Sequence, residues 1–474
     1  MPRPHLLRGT RGAGVLLHPT SLPGGHGIGD LGPEAHRFLE WLSLAGFAWW
    51  QMLPVGPVGP GNSPYASTSS FAGEELLVSL DHLAEDRLLT SAELRQARGA
   101  GGGAGVSFGS ARDRKRRALL CARDRFAARR GFGSQAFRRF ERASAGWLPD
   151  YLGWLGADPH GLDSFTQFCF AQDWSRLRDA AHARGIRLIG DVPIFVDSHS
   201  ADVAAHPELF RLDRRGQPTV VTGVPPDCFS ATGQRWGHPH YRWSAHRAAR
   251  FAWWRARMRM ALTRFDLIRL DHFVGFHHAY EIPASAPDAR RGVWKKQAGR
   301  ELLGALAGEF GALPLIAEDL GAVTAAVTTL RDTFDLPGMR VMHHAFWSGT
   351  NGDLPHHHPV HSVAYSGTHD NNTTQGWWGR LDRASKGRFR ALAGAGKPHE
   401  AMARLLMSSP ATLAIVPAQD ILGLGASARM NLPGAGRHQW KWRMPSPLAT
   451  STASHWRALL AASGRATESG RPLQ

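Results

Sequence analysis

The sequence predicts an α/β protein built on a closed (β/α)8 TIM barrel with inserted, mostly helical subdomains. Three observations carry that expectation. Eight short, nearly continuous apolar runs recur along the chain, amphipathic stretches separate them, and several runs end in a carboxylate. A run that is apolar at every position is buried on both faces, as a strand is in a parallel sheet covered by helices. Eight such runs with helices between them fit a barrel that closes on itself.

In order, the runs are GVLLHPTS (14–21), FAWWQMLPVG (47–56), IRLIGDVPIFV (186–196), FDLIRLDH (265–272), PLIAEDLG (314–321), GMRVMHHAF (338–346), HSVAYSGTHDN (361–371) and ATLAIVPAQD (411–420). Helix-period stretches such as PEAHRFLEWLSLAG (33–46) and WSRLRDAAHARG (174–185) lie between them. The whole chain, 1–474, reads as one barrel domain. The gap after the second run is far longer than one helix, which places an inserted helical subdomain over 75–165. Within it GAGGGAG (99–105) reads as a flexible loop. A second insertion, carrying a loop over the site, is expected over 197–250. Residues 462–474 read as a disordered tail.

A hydrophobic share of 43% with 20% charged residues is that of a chain that buries a large core. The net charge of +17 is unusual and raises nucleic acid or an anionic membrane as partners. Neither is expected, because the arginines are scattered and no reading motif accompanies them. The densest run, 112–130, also carries acidic residues and reads as a solvated helix face. No apolar run reaches the roughly 18 residues that cross a bilayer, and 14–20 is too short for a signal core, so a cytoplasmic protein is expected. Cys121, Cys169 and Cys228 match no disulfide or zinc spacing. The adjacent histidines His343–His344 and His356–His358 would point to opposite faces of a strand, so no metal is expected there.

Active sites of such barrels sit at the C-terminal ends of the strands. Three runs end in carboxylates of particular interest: Asp271 in IRLDH, Glu318 in IAEDLG and Asp370 in SGTHDN. Asp191 and Asp420 end two more. An oxygen-rich rim suits a divalent cation. It also suits glycosidic chemistry, which needs one ionised and one protonated carboxyl across the scissile bond. Arg269 lies two residues before Asp271 on the same strand face and favours its ionised form, while neighbouring negative charge and a dry wall hold Glu318 protonated. That favours the glycosidic reading. Of 17 tryptophans, Trp236, Trp243, Trp377, Trp378 and Trp440 fall in expected loops, and Tyr65 lies in the loop after the second run. Aromatic faces in loops suit sugar rings, although any single tryptophan is more often core.

Longer motifs then carry a resemblance. GVLLHPTSLPGGHGIGDLGPEA (14–35), WQMLPVGPVGPGNSPYASTSSFAG (50–73), GDVPIFV (190–196), GVPPDCFSATGQRWGHPHY (223–241), RLDHFVGF (269–276), IAEDLG (316–321), PGMRV (337–341), YSGTHDNNT (365–373) and PAQDILGLGASARMNLPG (417–434) occur in the order found in the amylomaltases, or 4-alpha-glucanotransferases, of glycoside hydrolase family seventy-seven. The chain resembles that family over nearly its whole length. The resemblance implies no cofactor and no metal. It implies maltooligosaccharides, starch or glycogen-derived α-1,4-glucans as substrates, and a retaining double displacement. By position it makes Asp271 the nucleophile, Glu318 the general acid/base and Asp370 the carboxylate that holds ring hydroxyls. It places Ser63, Tyr65, Asp191, Gln234, Trp236, Arg269, His369 and Asn431 on the substrate. A hydrolase on the same barrel and a non-catalytic glucan-binding protein are the competing readings, and the intact carboxylate trio opposes the second.

The motifs also depart from the family. Cys228 stands where the family usually has Tyr, which removes a ring expected to stack on the incoming acceptor. Val274 replaces a common Arg, His199 an Asp and His238 an Asn. Glu74 and Glu75 replace Asn-Pro, and the segment before Trp440 lacks the usual Gly-Asn.

Overall fold

The computed structural model describes residues 5–9, 11–99, 105–226, 230–346, 353–434 and 439–467. Cys228, most of 99–105 and residues 468–474 lie outside them.

All eight runs form strands of a closed parallel barrel. They are β1 (Gly12–Leu16), β2 (Trp49–Gln51), β3 (Arg187–Pro193), β6 (Leu267–Asp271), β9 (Leu315–Ala317), β10 (Gly338–Val341), β11 (Ser362–Tyr365) and β12 (Leu413–Pro417). Around the barrel the order is β1-β12-β11-β10-β9-β6-β3-β2, and β1 closes the ring by pairing with both β12 and β2. Burial explains why these runs became strands: β1, β11 and β12 are buried at every position. Closure also depends on Gly14. A Cβ there would lie 2.8 Å from Cβ and 3.0 Å from the carbonyl of Trp49, so only glycine lets β1 approach β2.

Helices pack around the ring. The first, Pro33–Ala45, starts on a proline that needs no N–H partner and stops at Gly46, whose φ of 83° ends it in the left-handed region. No helix among the described residues is long and apolar enough to cross a membrane.

The long gap after β2 folds into helices Leu80–Glu85, Ser91–Ala97, Phe108–Ala128, Gln135–Ser144 and Leu148–Leu155. The arginine-rich run lies on the third of these and presents a largely solvated face, with one exception. Lys115 is fully buried, and its ammonium donates to Asp30 (2.6 Å) and to the carbonyls of Leu76 and Val78 (both 2.8 Å). Arg112 and Arg116 bond Glu75, and Arg125 grips Glu93 through both oxygens. Lys115 thus fastens the insertion to the loop that carries Asp30, while Arg112, Arg116 and Arg125 tie the helix to its own subdomain.

Glu74 and Glu75 take part in the same junction. The buried Glu74 carboxyl accepts the N–H groups of Val58 (2.7 Å) and Leu76 (3.0 Å). Burial and the neighbouring Glu75 push its pKa up to about 7. A raised pKa means the group supports folding fully below its unfolded value of 4.5, and that support is lost as pH rises through about 7. Glu74→Gln is therefore expected to gain up to about 3 kcal/mol at pH 8.5 and little at pH 4.5. Urea unfolding at the two pH values checks this; equal gains would refute it.

Beyond β3 the structure differs from the sequence reading. The insertion expected over 197–250 holds β4 (Val220–Val224) and β5 (Gln234–Pro239), whose pairing reaches beyond it. They join β7 (His278–Pro283) and β8 (Val293–Lys296), which follow β6, in an antiparallel sheet ordered β5-β4-β7-β8. Two barrel loops thus share one sheet above the same rim. The C-terminal expectation is also corrected. The last described helix ends at Ala462, but Arg465 is buried and donates to the carbonyls of Gly12 (2.8 Å), Met407 (2.9 Å), Ser409 (2.6 Å), Ala411 (2.8 Å) and Thr412 (3.4 Å). A guanidinium with every donor satisfied by backbone holds residues 463–467 in place.

Candidate active site

Strand register brings the expected carboxylates together. Asp191 on β3 is paired in register with Arg269 on β6, and Leu270 with Ala317 on β9, so Asp271 and Glu318 emerge side by side at the C-terminal rim. Arg269 Nη1 donates to Asp271 Oδ1 (2.8 Å) and to both oxygens of Asp191 (2.7 and 2.9 Å). The Tyr65 hydroxyl donates to Asp191 Oδ2 at 2.8 Å. The Asp191 side chain has no exposed surface, against 27% for Asp271. The oxygens of Asp191 are thus engaged by Arg269 and Tyr65 and almost wholly covered. Asp191 positions Arg269 and Tyr65.

Glu318 Oε2 accepts the His272 N–H at 2.6 Å. That bond depends on His272 adopting a left-handed backbone, φ 51°, one residue after Asp271, a strained state of the kind found at functional sites. Burial and the nearby Asp271 lift the pKa of Glu318 well above the carboxylate range, Arg269 offsetting only part of the rise.

Asp370 occupies the opposite wall. Its carboxylate is 43% exposed to the cleft, yet it lies deep among protein atoms. That depth alone would raise its pKa, but His369, 3.3 Å away, and Asn431 Nδ2 at 2.5 Å outweigh it and hold the group below the usual carboxylate range. Arg429 bonds the Asp370 carbonyl, and Asn431 N–H bonds the His369 carbonyl at 3.1 Å. The Tyr65 ring stacks on His369 (5.0 Å, 16°), with Trp440 leaning on both. Trp236 sets its ring edge-to-face against His272 at 4.9 Å and donates to Gln234 Oε1 at 3.2 Å. Ser63 Oγ accepts the Tyr65 N–H at 3.3 Å and shapes that loop.

Other sequence candidates stand elsewhere. Trp377 is buried against His343, and Trp243 bonds Gln297 at 2.5 Å; both are structural. Trp378 packs beneath Lys386 and Arg390. Among the histidines, His343 bonds Thr374, and His358 bonds Ser409 and the Asp353 carbonyl. Of the departures, Val274 is buried core, His199 packs edge-on against Trp154, and His238 stands 4.0 Å from Asp197 in the field of Asp271. Sequence reading missed Tyr365, whose hydroxyl bonds Gln51 at 2.9 Å near Arg269 and Glu318. Asp420, noted only as a strand-end carboxylate, accepts from Ser366 and Thr374 and braces the loop carrying Asp370. Alternation along β11 is the signal that places Tyr365 inside the barrel.

The chain matches known proteins along nearly its whole length. The model of glycoside hydrolase family seventy-seven, described as 4-alpha-glucanotransferase, matches residues 17–158 and 157–450. The chain belongs to this family of 4-alpha-glucanotransferases. It is 41% identical to the 4-alpha-glucanotransferase of Thermus thermophilus over 96% of this chain and 99% of that one. It is 38% identical to the Aquifex aeolicus enzyme over 91% and 95%. A solved amylomaltase of Streptococcus agalactiae, in complex with acarbose, superposes with a TM-score of 0.91 at 30% identity, over 96% of this chain and 100% of that chain. Family membership makes the chain a transferase.

Proposed function

We propose that this enzyme transfers α-1,4-glucan segments to glucose or another glucan by a retaining double displacement at Asp271. The carrying observation is the different surroundings of two adjacent carboxyls: Arg269 bonds Asp271, while Glu318 is buried beside it, its pKa pushed upward by burial, and accepts, among the described residues, only the His272 N–H. Asp271 attacks the anomeric carbon, the glycosidic C–O bond breaks, and the Glu318 proton passes to the leaving 4-oxygen. The glucan is then an ester of Asp271. The ionised Glu318 takes the proton of an acceptor 4-hydroxyl, whose oxygen forms the new C–O bond and releases Asp271. Asp370 accepts hydrogen bonds from ring hydroxyls, with His369 and Tyr65 beside the same sugar. Trp236 and Gln234, on β5, stand where acceptor and donor chains enter. Shielding the ester from water favours a sugar hydroxyl over hydrolysis.

Chromatography of the products from maltotriose alone tests this. The expected result is glucose together with oligosaccharides longer than the substrate. Reducing ends that rise without longer chains would establish a hydrolase instead. In the same assay Cys228→Tyr is expected to raise the ratio of transfer to hydrolysis, because it restores an aromatic ring toward the acceptor; an unchanged ratio would remove Cys228 from acceptor choice.

A further inference from the structure

Glu318 is gripped at three points by the end of β6 and the turn after it. Its N–H donates to the Leu270 carbonyl (3.1 Å), its carbonyl accepts the Phe273 N–H (3.0 Å), and its Oε2 accepts the His272 N–H (2.6 Å). The first two bonds hold backbone to backbone. The third reaches the reacting group itself. Two successive amides, those of His272 and Phe273, thus converge on one residue.

The convergence needs an unusual backbone. β6 runs extended to Asp271, and His272 leaves it at φ 51°. Few residues other than glycine enter that region; His, Asn and Asp are the more tolerant ones. Three contacts surround the residue. Its carbonyl accepts the Gly275 N–H at 2.8 Å, a Cβ added to Gly275 would come within 2.9 Å of His272 Cδ2, and the Trp236 ring meets the imidazole edge-to-face at 4.9 Å. The imidazole therefore packs between an indole and a glycine. Its Nε2 is shielded from solvent and has no hydrogen-bond partner among the described residues, and burial lowers its pKa to about 4. The ring packs as a neutral body, and the amide is the part that meets the chemistry.

We propose that His272 is a positioning residue of the reaction: its left-handed backbone fixes Glu318 Oε2 through the N–H and leaves Oε1 as the oxygen that moves the proton. A protonated carboxyl presents its carbonyl oxygen to an N–H and keeps its hydroxyl for another acceptor, so the bond sorts the two oxygens. No described residue bonds Oε1. The proton on Oε1 passes to the leaving 4-oxygen, and Oε1 later takes the proton of the acceptor 4-hydroxyl. Between the two transfers the same N–H faces a carboxylate, where its bond is stronger. This inference rests on the acid/base role of Glu318 proposed above.

The test compares His272→Val, His272→Asn and Glu318→Gln on maltotriose and on α-maltosyl fluoride, whose fluoride leaves without a proton. Valine, branched at Cβ, is barred from the left-handed region that asparagine enters. His272→Val is expected to lose about 10²-fold in kcat on maltotriose, the scale of a catalytic group misplaced by about 1 Å, and to keep most of its first-turnover burst of fluoride. The alkaline limb of its pH profile should move to higher pH, because the Glu318 anion has lost a donor. The other groups that act on Glu318, namely Arg269 and Asp271 on β6, the adjoining Asp319 and Tyr365 on β11, stay in place. His272→Asn should bring the limb back to its wild-type position. Equal losses on the two substrates, or a limb unmoved in His272→Val, would overturn the positioning role. If His272→Val does not fold, the wild-type enzyme carrying ¹⁵N-labelled histidine decides. The His272 amide proton, identified as the signal missing from His272→Asn, should move downfield with the midpoint of the alkaline limb and stay still in Glu318→Gln. An amide that ignores that titration would overturn the inference. Glu318→Gln losing both substrates equally would instead count against the acid/base reading.

Discussion

Glu318→Gln is expected to lower kcat on maltotriose by about 10²–10⁴-fold, the share usually carried by a general acid, while the first-turnover burst of fluoride from α-maltosyl fluoride largely survives. Fluoride leaves without a proton, so the first displacement no longer needs Glu318, whereas the second still lacks its base and the glycosyl ester accumulates. Asp271→Asn should lose both substrates, because the amide cannot form the glycosyl ester. The pH profile adds an independent reading. Glu318 must start protonated, so wild-type activity on maltotriose falls as pH rises through its elevated pKa, and that alkaline limb should vanish for maltosyl fluoride with the Gln variant. Equal loss of maltotriose and fluoride activity in Glu318→Gln would remove Glu318 from the acid role.

The second large effect is on folding. Lys115→Met is expected to destabilise the protein by about 3–5 kcal/mol, since it strands Asp30 as a buried charge and leaves the Leu76 and Val78 carbonyls without their donor. That is a large part of the roughly 5–15 kcal/mol that holds a domain together. Adding Asp30→Asn removes the charge but keeps an acceptor for the Gly32 N–H, so the double variant should be more stable than Lys115→Met alone. Thermal or urea unfolding of the three chains decides; a double variant no better than the single one would mean that the lost carbonyl contacts dominate.

The barrel was legible because each of its strands is buried on both faces, which leaves an unbroken apolar run in the sequence. Asp271 and Glu318 were legible because they end such runs. What stayed hidden depends on pairings between distant residues. Val221 pairs with Ile282 across two different barrel loops, and β4, β5, β7 and β8 mix polar and apolar residues, so no local pattern announces their sheet. Asp191 looked like a ligand-facing carboxylate. Only its register with Arg269 shows that its oxygens are already taken. Lys115 looked like one more charge on a basic helix, and only its partner on a distant loop makes it a fastener.

The clasp at Arg465 has a consequence in time. It grips the carbonyl of Gly12, 453 residues earlier, at the seam where the first and last barrel strands meet. At a synthesis rate of about 5–20 residues per second, the nascent chain waits roughly 20–90 s between making β1 and making what locks it. Until β12 is made, late in that interval, one edge of β1 has no neighbour, and an unpaired apolar edge invites pairing with other chains. The five-residue length of β1 keeps that hazard small while the rest of the ring is being made.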